Sequence, residues 1–178
     1  MEQIQNNRVI TDLYRENAQF PGIALDGSDV YLCWQRFVDR HDSLMASCRR
    51  GDEVVWEREI SDGGEVLHPV ILAHGGAIWY AWSEYARENW RILARCYRDG
   101  QWGEVLTVAS GEALFFPRLF TWQGKLHVIW TEQHKGSAAA VLCPLTEAGP
   151  GAAETVSVVG EAYRAGAAEG GDGNLYVA

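Results

Sequence analysis

The sequence repeats itself at an interval of 48 residues, and this repeat restricts the possible folds more than any other feature of the chain. A proline series and a tryptophan series share the interval and stay in phase over three units. Their members are Pro21, Pro69 and Pro117, and Trp34, Trp82 and Trp130. Repeats of this length are typical of folds that stack one supersecondary unit against the next. The chain is therefore expected to form a tandem array of similar units.

Each unit has the hydrophobic pattern of β-strands. In the first unit, β-rich runs at 23–25 and 30–34 flank turn residues at 26–28, and further runs follow at 44–48 and 54–60. The second unit repeats this order, and no stretch combines a helical period with helix caps. Four strands in a repeat of roughly 40 to 50 residues indicate a blade of a β-propeller.

The repeat predicts an all-β chain that forms one partial β-propeller domain of about three and a half four-stranded blades. The predicted segments are an outer strand of a closing blade in 1–19, blades in 20–67, 68–115 and 116–163, and the start of a further blade in 164–178. Within the first segment, Arg8-Val9-Ile10 is expected to form the closing strand.

Such a fragment cannot close a ring alone, because a terminal strand usually completes the blade at the other end of the chain. Two interpretations follow from this. Either the C-terminal half of the propeller is missing, or two copies associate through their open blade edges into a ring of about seven blades.

The run from Pro69 to Trp102 resembles the sialidase-like propellers that carry BNR or Asp-box repeats. It contains the hairpin Gly-Gly-Ala-Ile-Trp-Tyr-Ala-Trp at 75–82, and Asp99-Gly100 followed by Trp102 as the remnant of an Asp-box. The resemblance covers nearly the whole chain. It implies a propeller fold, and it implies exo-acting glycoside hydrolase activity with arginines that hold a substrate carboxylate.

Composition excludes several partners. The chain has 24 acidic and 15 basic residues and a formal charge of −9, with the basic residues scattered, so nucleic acid is not expected as a partner. No apolar run approaches the roughly 18 residues of a membrane helix, and no secretory signal is visible, so a cytoplasmic location without a membrane partner is expected. The four cysteines lack metal-ligand spacing and are expected to be reduced packing residues, with no metal or cofactor.

The predicted binding residues lie where the repeats differ. In a propeller, the loop after the second strand and the start of the innermost strand open on the same face around the central channel. The charged residues expected there are Arg36, Glu84 and Glu132, two positions after each recurring tryptophan, and His68, Arg118 and Arg164 at the inner-strand starts. Arginine can hold a carboxylate with two hydrogen bonds, and a carboxylate can accept hydrogen bonds from hydroxyl groups. We expect these six residues to lie on one rim of the channel.

Three functions are compatible with this pattern. The favoured one is a ligand-recognition module that binds a glycan, another polar small molecule or a protein partner through these loops. The alternative is an exo-acting glycoside hydrolase of sialidase-like type, with Glu84 and Glu132 as the catalytic carboxylates, which would have to lie about 5 to 9.5 Å apart. The third is a protein-interaction scaffold. The recurring tryptophans are expected to fill the gaps between blades, since they occupy the same position in each unit.

Overall fold

The structure is a computed structural model that describes residues 17–61, 63–157 and 162–178. Over these ranges the chain forms strands and no helix, so the prediction of an all-β partial propeller is confirmed. The predicted closing strand, Arg8-Val9-Ile10, lies outside the described residues. Among the described residues, no helix has the length and apolarity needed to cross a membrane.

Three antiparallel sheets follow one another along the chain. The first contains β1 (Ala18–Asp26), β2 (Asp29–Val38), β3 (His41–Arg50) and β4 (Glu53–Glu59). The second contains β5 (Glu65–His74), β6 (Ala77–Ala86), β7 (Asn89–Arg98), β8 (Gln101–Trp102) and β9 (Leu106–Gly111). The third contains β10 (Leu114–Trp122), β11 (Lys125–His134), β12 (Ser137–Thr146), β13 (Gly149–Pro150) and β14 (Glu154–Thr155), and a hairpin of β15 (Ala167–Glu169) and β16 (Leu175–Val177) comes last.

The first four strands of each sheet form an up-and-down meander, because each is hydrogen-bonded to the next in sequence. The additional strands β9 and β14 pair with β7 and β12. The inner strands begin at Ala18, Glu65 and Leu114, two or three residues before the predicted blade starts. In the second and third sheets the outer strand is interrupted. At the first interruption Gly103 donates its N–H to the carbonyl of Cys96 at 2.9 Å. A Cβ on this glycine would lie 2.9 Å from the Cys96 Sγ, so the close approach requires glycine.

Turn chemistry differs between the two ends of the sheets. We call the end with the β1–β2 and β5–β6 turns the lower face, and the end with the β2–β3 and β6–β7 turns the upper face. On the lower face, the β5–β6 turn places Gly75 and Gly76 at φ 59° and 72°. On the upper face, Asp39–Arg40 and Arg87–Glu88 adopt φ between 52° and 64° without any glycine. Two-residue hairpins favour these left-handed conformations, but they normally use glycine, asparagine or aspartate to reach them.

The sheets pack face to face through large buried side chains. Trp82 is fully buried in a cluster with Tyr31, Cys33 and Leu44 of the first sheet. Trp130 is buried in the next cluster with Ile92 of the second sheet. The prediction that the recurring tryptophans pack between blades is therefore confirmed for Trp82 and Trp130. Among the described residues, Trp34 instead clusters with side chains of its own sheet.

The cysteines also serve as packing residues. In the β2–β3 pair Cys33 lies opposite Ala46. All four cysteines are free thiols and buried. Burial raises the pKa of the Cys33 thiol to about 12, so this group is uncharged and unreactive at neutral pH.

The inner strand of the first sheet is the most exposed of the three. Ile23 and Leu25 are 59% and 64% exposed, whereas the equivalent Ile71 of the second sheet packs against the first sheet. Two apolar side chains are thus presented on the face that points away from the second sheet. Self-association through an open blade edge stays a prediction.

Replacing Trp82 with alanine should lower the free energy of unfolding by about 3 to 5 kcal/mol, because it removes a fully buried side chain from the contact between two sheets. The matched control is Val54→Ala on the outer strand β4, where the side chain is 44% exposed and the expected change is within about 0.5 kcal/mol. Urea denaturation measures both. Similar values for the two variants would contradict the packing role of Trp82.

Candidate functional site

The start of each inner strand carries the same backbone irregularity. The pairing register with the second strand shifts between Gln19 and Gly22, and equivalent shifts occur in the second and third sheets. The residue at the shift has a left-handed backbone, with φ 51° at Phe20, 54° at His68 and 55° at Phe116. Each such non-glycine conformation costs about 1 to 3 kcal/mol, and strain of this kind tends to collect at functional sites.

Arg164 continues this series into the segment after the third sheet. It follows Phe116 by the same 48-residue interval and also has a left-handed backbone, with φ 61°. Phe20, His68, Phe116 and Arg164 are therefore four equivalent positions of one repeat. They carry three rings and one guanidinium group.

These side chains form the wall of a pocket of about 250 Å³, together with Arg118. The ring centroids of Phe20 and His68 lie 5.0 Å apart, and those of His68 and Phe116 lie 4.1 Å apart. The guanidinium carbon of Arg164 lies 4.7 Å from the centre of the Phe116 ring. Because inner-strand starts from all three sheets line it, we call this pocket the axial pocket.

The electrostatics of the axial pocket favour a negative ligand. Burial, and then the positive charges of Arg164 and Arg118, lower the pKa of His68 from 6.5 to about 4. Its Nδ1 atom is buried and has no hydrogen-bond partner among the described residues. The imidazole is therefore neutral at physiological pH, and the two exposed guanidinium groups supply the positive charge of the pocket. The described lining residues include no carboxylate.

A second, larger cavity of about 700 Å³ lies on the upper face between the first and second sheets. We call it the interblade cleft. Its charged lining residues include Arg40, Asp42, Glu65, Glu84, Arg87 and Arg91.

The side chain of Glu84 is part of this cleft and is only 1% exposed. Its carboxylate forms an ion pair with Arg91 and accepts a hydrogen bond from Trp82 Nε1 at 3.4 Å. Gly64 permits this burial, since a Cβ at that position would overlap the carboxylate.

The six predicted site residues are thus divided among different places. His68, Arg118 and Arg164 come together in the axial pocket, whereas Glu84 lines the interblade cleft. Arg36 forms an ion pair with Glu59 at 3.2 Å, and Glu132 is exposed on β11.

The two glutamates differ because of their cross-strand neighbours. Glu84 lies opposite Arg91, but the equivalent Glu132 lies opposite Ala139. Only Glu84 therefore has a cation directly across the strand pair. A binding or catalytic role for either glutamate stays a prediction.

The sequence interpretation missed several residues of both cavities. Phe20 and Phe116 were identifiable, because each directly precedes a recurring proline, as His68 does. Arg91 could be found once the β6–β7 turn was fixed at two residues, since that register places it opposite Glu84. The role of Gly64 has no signal in the sequence.

No model of a known protein family matches the sequence, and no curated protein matches it. Solved structures do resemble it. One is a GH32 β-fructofuranosidase of Bombyx mori in complex with sucrose, with 16% identity and a TM-score of 0.54, which covers 88% of this chain and 41% of that one. Another is the xyloglucan PUL GH43B of Bacteroides ovatus, with 16% identity and a TM-score of 0.59, covering 90% of this chain and 35% of that one.

A third similar structure is a neuraminidase-like protein of A/little yellow-shouldered bat/Guatemala. It has 8% identity and a TM-score of 0.60, and the match covers 90% of this chain and 58% of that one. The chain therefore spans less than two thirds of the length of each of these structures. At such identities the likeness concerns the fold, which is the β-propeller fold of glycoside hydrolases and a neuraminidase-like protein.

The two equivalent glutamates allow a matched test of the cleft. Glu84→Gln should lower the free energy of unfolding by about 1.5 to 3 kcal/mol, because the buried carboxylate loses its charged hydrogen bond to Arg91. Glu132→Gln should change it by no more than about 0.5 kcal/mol, since this side chain is exposed. Chemical denaturation at neutral pH measures both. Equal effects would show that the Glu84 pair does not stabilise the fold.

The depressed pKa of His68 makes stability depend on pH. Below pH 6.5 the unfolded chain binds a proton at this residue that the folded chain does not bind until about pH 4. The stability associated with neutral His68 should therefore be complete above pH 6.5 and decline as the pH falls to about 4. Denaturation at several pH values should show a steeper decline for the parent than for His68→Gln. Parallel curves would contradict the shift.

Proposed function

We propose that this chain is the glycan-recognition part of a β-propeller protein, and that its axial pocket binds an acidic sugar unit. The observation that carries the proposal is the convergence of Arg118 and Arg164 with the aromatic rings in one small pocket. Similar structures include a β-fructofuranosidase in complex with sucrose and a neuraminidase-like protein. Those descriptions support a carbohydrate ligand here.

The chemistry of the pocket suits such a ligand. Guanidinium groups bind a carboxylate through paired charged hydrogen bonds. The exposed ring of Phe20 offers an apolar surface to the C–H face of a sugar ring, and neutral His68 can exchange hydrogen bonds with a hydroxyl group. A volume of about 250 Å³ lies below the usual range for drug-sized ligands, which suits a single sugar ring.

We further propose that the chain is a sialidase-like propeller of the BNR or Asp-box type. Asp99 and Gly100 form the turn between β7 and β8, with φ 51° and 81°. Trp102 follows on β8 and packs among the aromatic side chains between the first two sheets. A turn of this kind between the third and fourth strands is where the Asp-box of such propellers would lie.

A second candidate function is glycoside hydrolysis, favoured by the names of the similar structures. It would require two carboxyl groups on either side of the scissile bond. Glu84 and Glu132 are the candidates within this chain. Turnover of an aryl glycoside that falls at least 100-fold in Glu84→Gln or Glu132→Gln would identify an enzyme. Binding without turnover in the parent would identify a recognition module.

Binding of acidic monosaccharides tests the proposed function. N-acetylneuraminic acid or galacturonic acid should bind at least tenfold more tightly than galactose, as measured by isothermal titration calorimetry. Arg118→Gln and Arg164→Gln should each weaken binding of the acid about tenfold, or about 1.4 kcal/mol, because each removes a charged hydrogen-bond donor. The control Arg58→Gln alters an exposed arginine of β4 and should leave the affinity unchanged.

The imidazole of His68 gives a second measurement of the same event. A bound carboxylate beside Arg118 and Arg164 offsets their positive charge and should raise the pKa of His68 from about 4. Nuclear magnetic resonance titration of the ring, with and without the sugar, detects this change. If neither acid binds more tightly than galactose, the proposed function is wrong.

A further inference from the structure

We infer that the interblade cleft is a second glycan-binding subsite, so that one acidic oligosaccharide extends from the axial pocket outward between the first and second blades. The inference rests on the proposed function of the axial pocket and adds the length and path of the ligand. Four observations support it: two exposed arginines at the mouth of the cleft, a fixed polar surface at its base, left-handed turns on both sides, and its short distance from the axial pocket.

The mouth of the cleft presents two exposed arginines. Arg40 from the β2–β3 turn and Arg87 from the β6–β7 turn are both exposed and both line the cleft. Neither forms an ion pair within the described ranges of the chain. The cleft also carries the carboxylates of Asp42 and Glu65, so the two arginines contribute positive charge to a lining of mixed charge.

The floor of the cleft is a fixed polar surface. Arg91 is held there by the buried carboxylate of Glu84, which is itself held by Trp82 Nε1 and accommodated by Gly64. Arg91 keeps 36% of its side-chain surface exposed. A guanidinium positioned in this way can offer its remaining N–H groups to sugar hydroxyl or carboxylate oxygens, with little entropy left to lose on binding.

The turns on both sides of the cleft are strained. Asp39–Arg40 and Arg87–Glu88 place charged residues at φ between 52° and 64°. The equivalent turn of the third sheet is Lys135–Gly136, which has glycine at its second position. The left-handed conformation is reached with charged residues at both positions of the two turns beside the cleft, and with glycine at the second position in the third sheet. This difference indicates that the charged side chains beside the cleft serve binding.

The cleft and the axial pocket are close enough for one ligand. Glu65 lines the cleft and His68 lines the axial pocket, and both lie on β5. Three residues of a strand span about 10 Å at most, and the bulge between them shortens that distance. The two cavities therefore adjoin along β5, and an oligosaccharide with one acidic unit against Arg118 and Arg164 can extend toward the cleft.

The experiment compares each acid monomer with its linear tetramer, namely tetragalacturonic acid and the α2,8-linked tetramer of N-acetylneuraminic acid. Affinities are measured by calorimetry on the full chain. At least one tetramer should bind ten or more times more tightly than its monomer. Arg87→Gln and Arg40→Gln should each remove most of this gain, while monomer binding should stay within twofold of the parent. Arg58→Gln should change neither affinity.

The outcomes separate the two proposals. If a monomer binds but both tetramers bind within fivefold of their monomers, the cleft is not a subsite and the axial site survives. If the tetramer gain persists in both cleft variants, the ligand takes another path and the inference is again wrong. If neither the monomers nor the tetramers bind, the proposed function fails, and the inference fails with it. Thermal melting of each variant confirms that the comparison is made on folded protein.

Discussion

Face-to-face packing of successive sheets is the interaction on which the rest of this structure depends. The clearest sign of it is β6, whose first eight residues are all buried because the second sheet has a neighbour on both faces. The strand β1 of the first sheet, in contrast, is exposed along most of its length. A single four-stranded sheet buries too little apolar surface to be stable alone. The two cavities described above exist only because neighbouring sheets are held at a fixed distance by side chains such as Trp82 and Trp130.

The cavities use the same scaffold in two different ways. The axial pocket is formed by equivalent positions of the repeat, one from each successive unit, so its geometry follows from the repeat itself. The interblade cleft is formed by residues that are not equivalent, since Glu84 pairs with Arg91 in the second sheet while the third sheet has Glu132 opposite Ala139. One cavity is therefore a property of the fold, and the other is specific to one pair of blades.

The sequence was sufficient to predict the fold because the blade depends on periodic features. The recurring prolines and tryptophans mark the 48-residue repeat, and the succession of similar sheets follows from it. The division of the charged residues between two cavities could not be predicted in the same way. The burial of Glu84 depends on the missing side chain of Gly64 and on an ion pair across a hairpin, and both are contacts between particular side chains. A pattern of residue types indicates which end of a sheet carries charges, but it does not indicate which charges neutralise one another.

The left-handed positions that precede the recurring prolines have a consequence for how ligand specificity can change. Each unit contributes one side chain at a left-handed backbone position, and after Phe20, His68 and Phe116 a proline limits the conformations of the unfolded chain. The chemistry of the axial pocket therefore depends on one residue in each unit, namely Phe20, His68, Phe116 and Arg164. A substitution at one of these positions alters the charge or shape of the pocket, while the strands that carry it keep their register. A propeller of this type can acquire new ligands one blade at a time, without rebuilding its core.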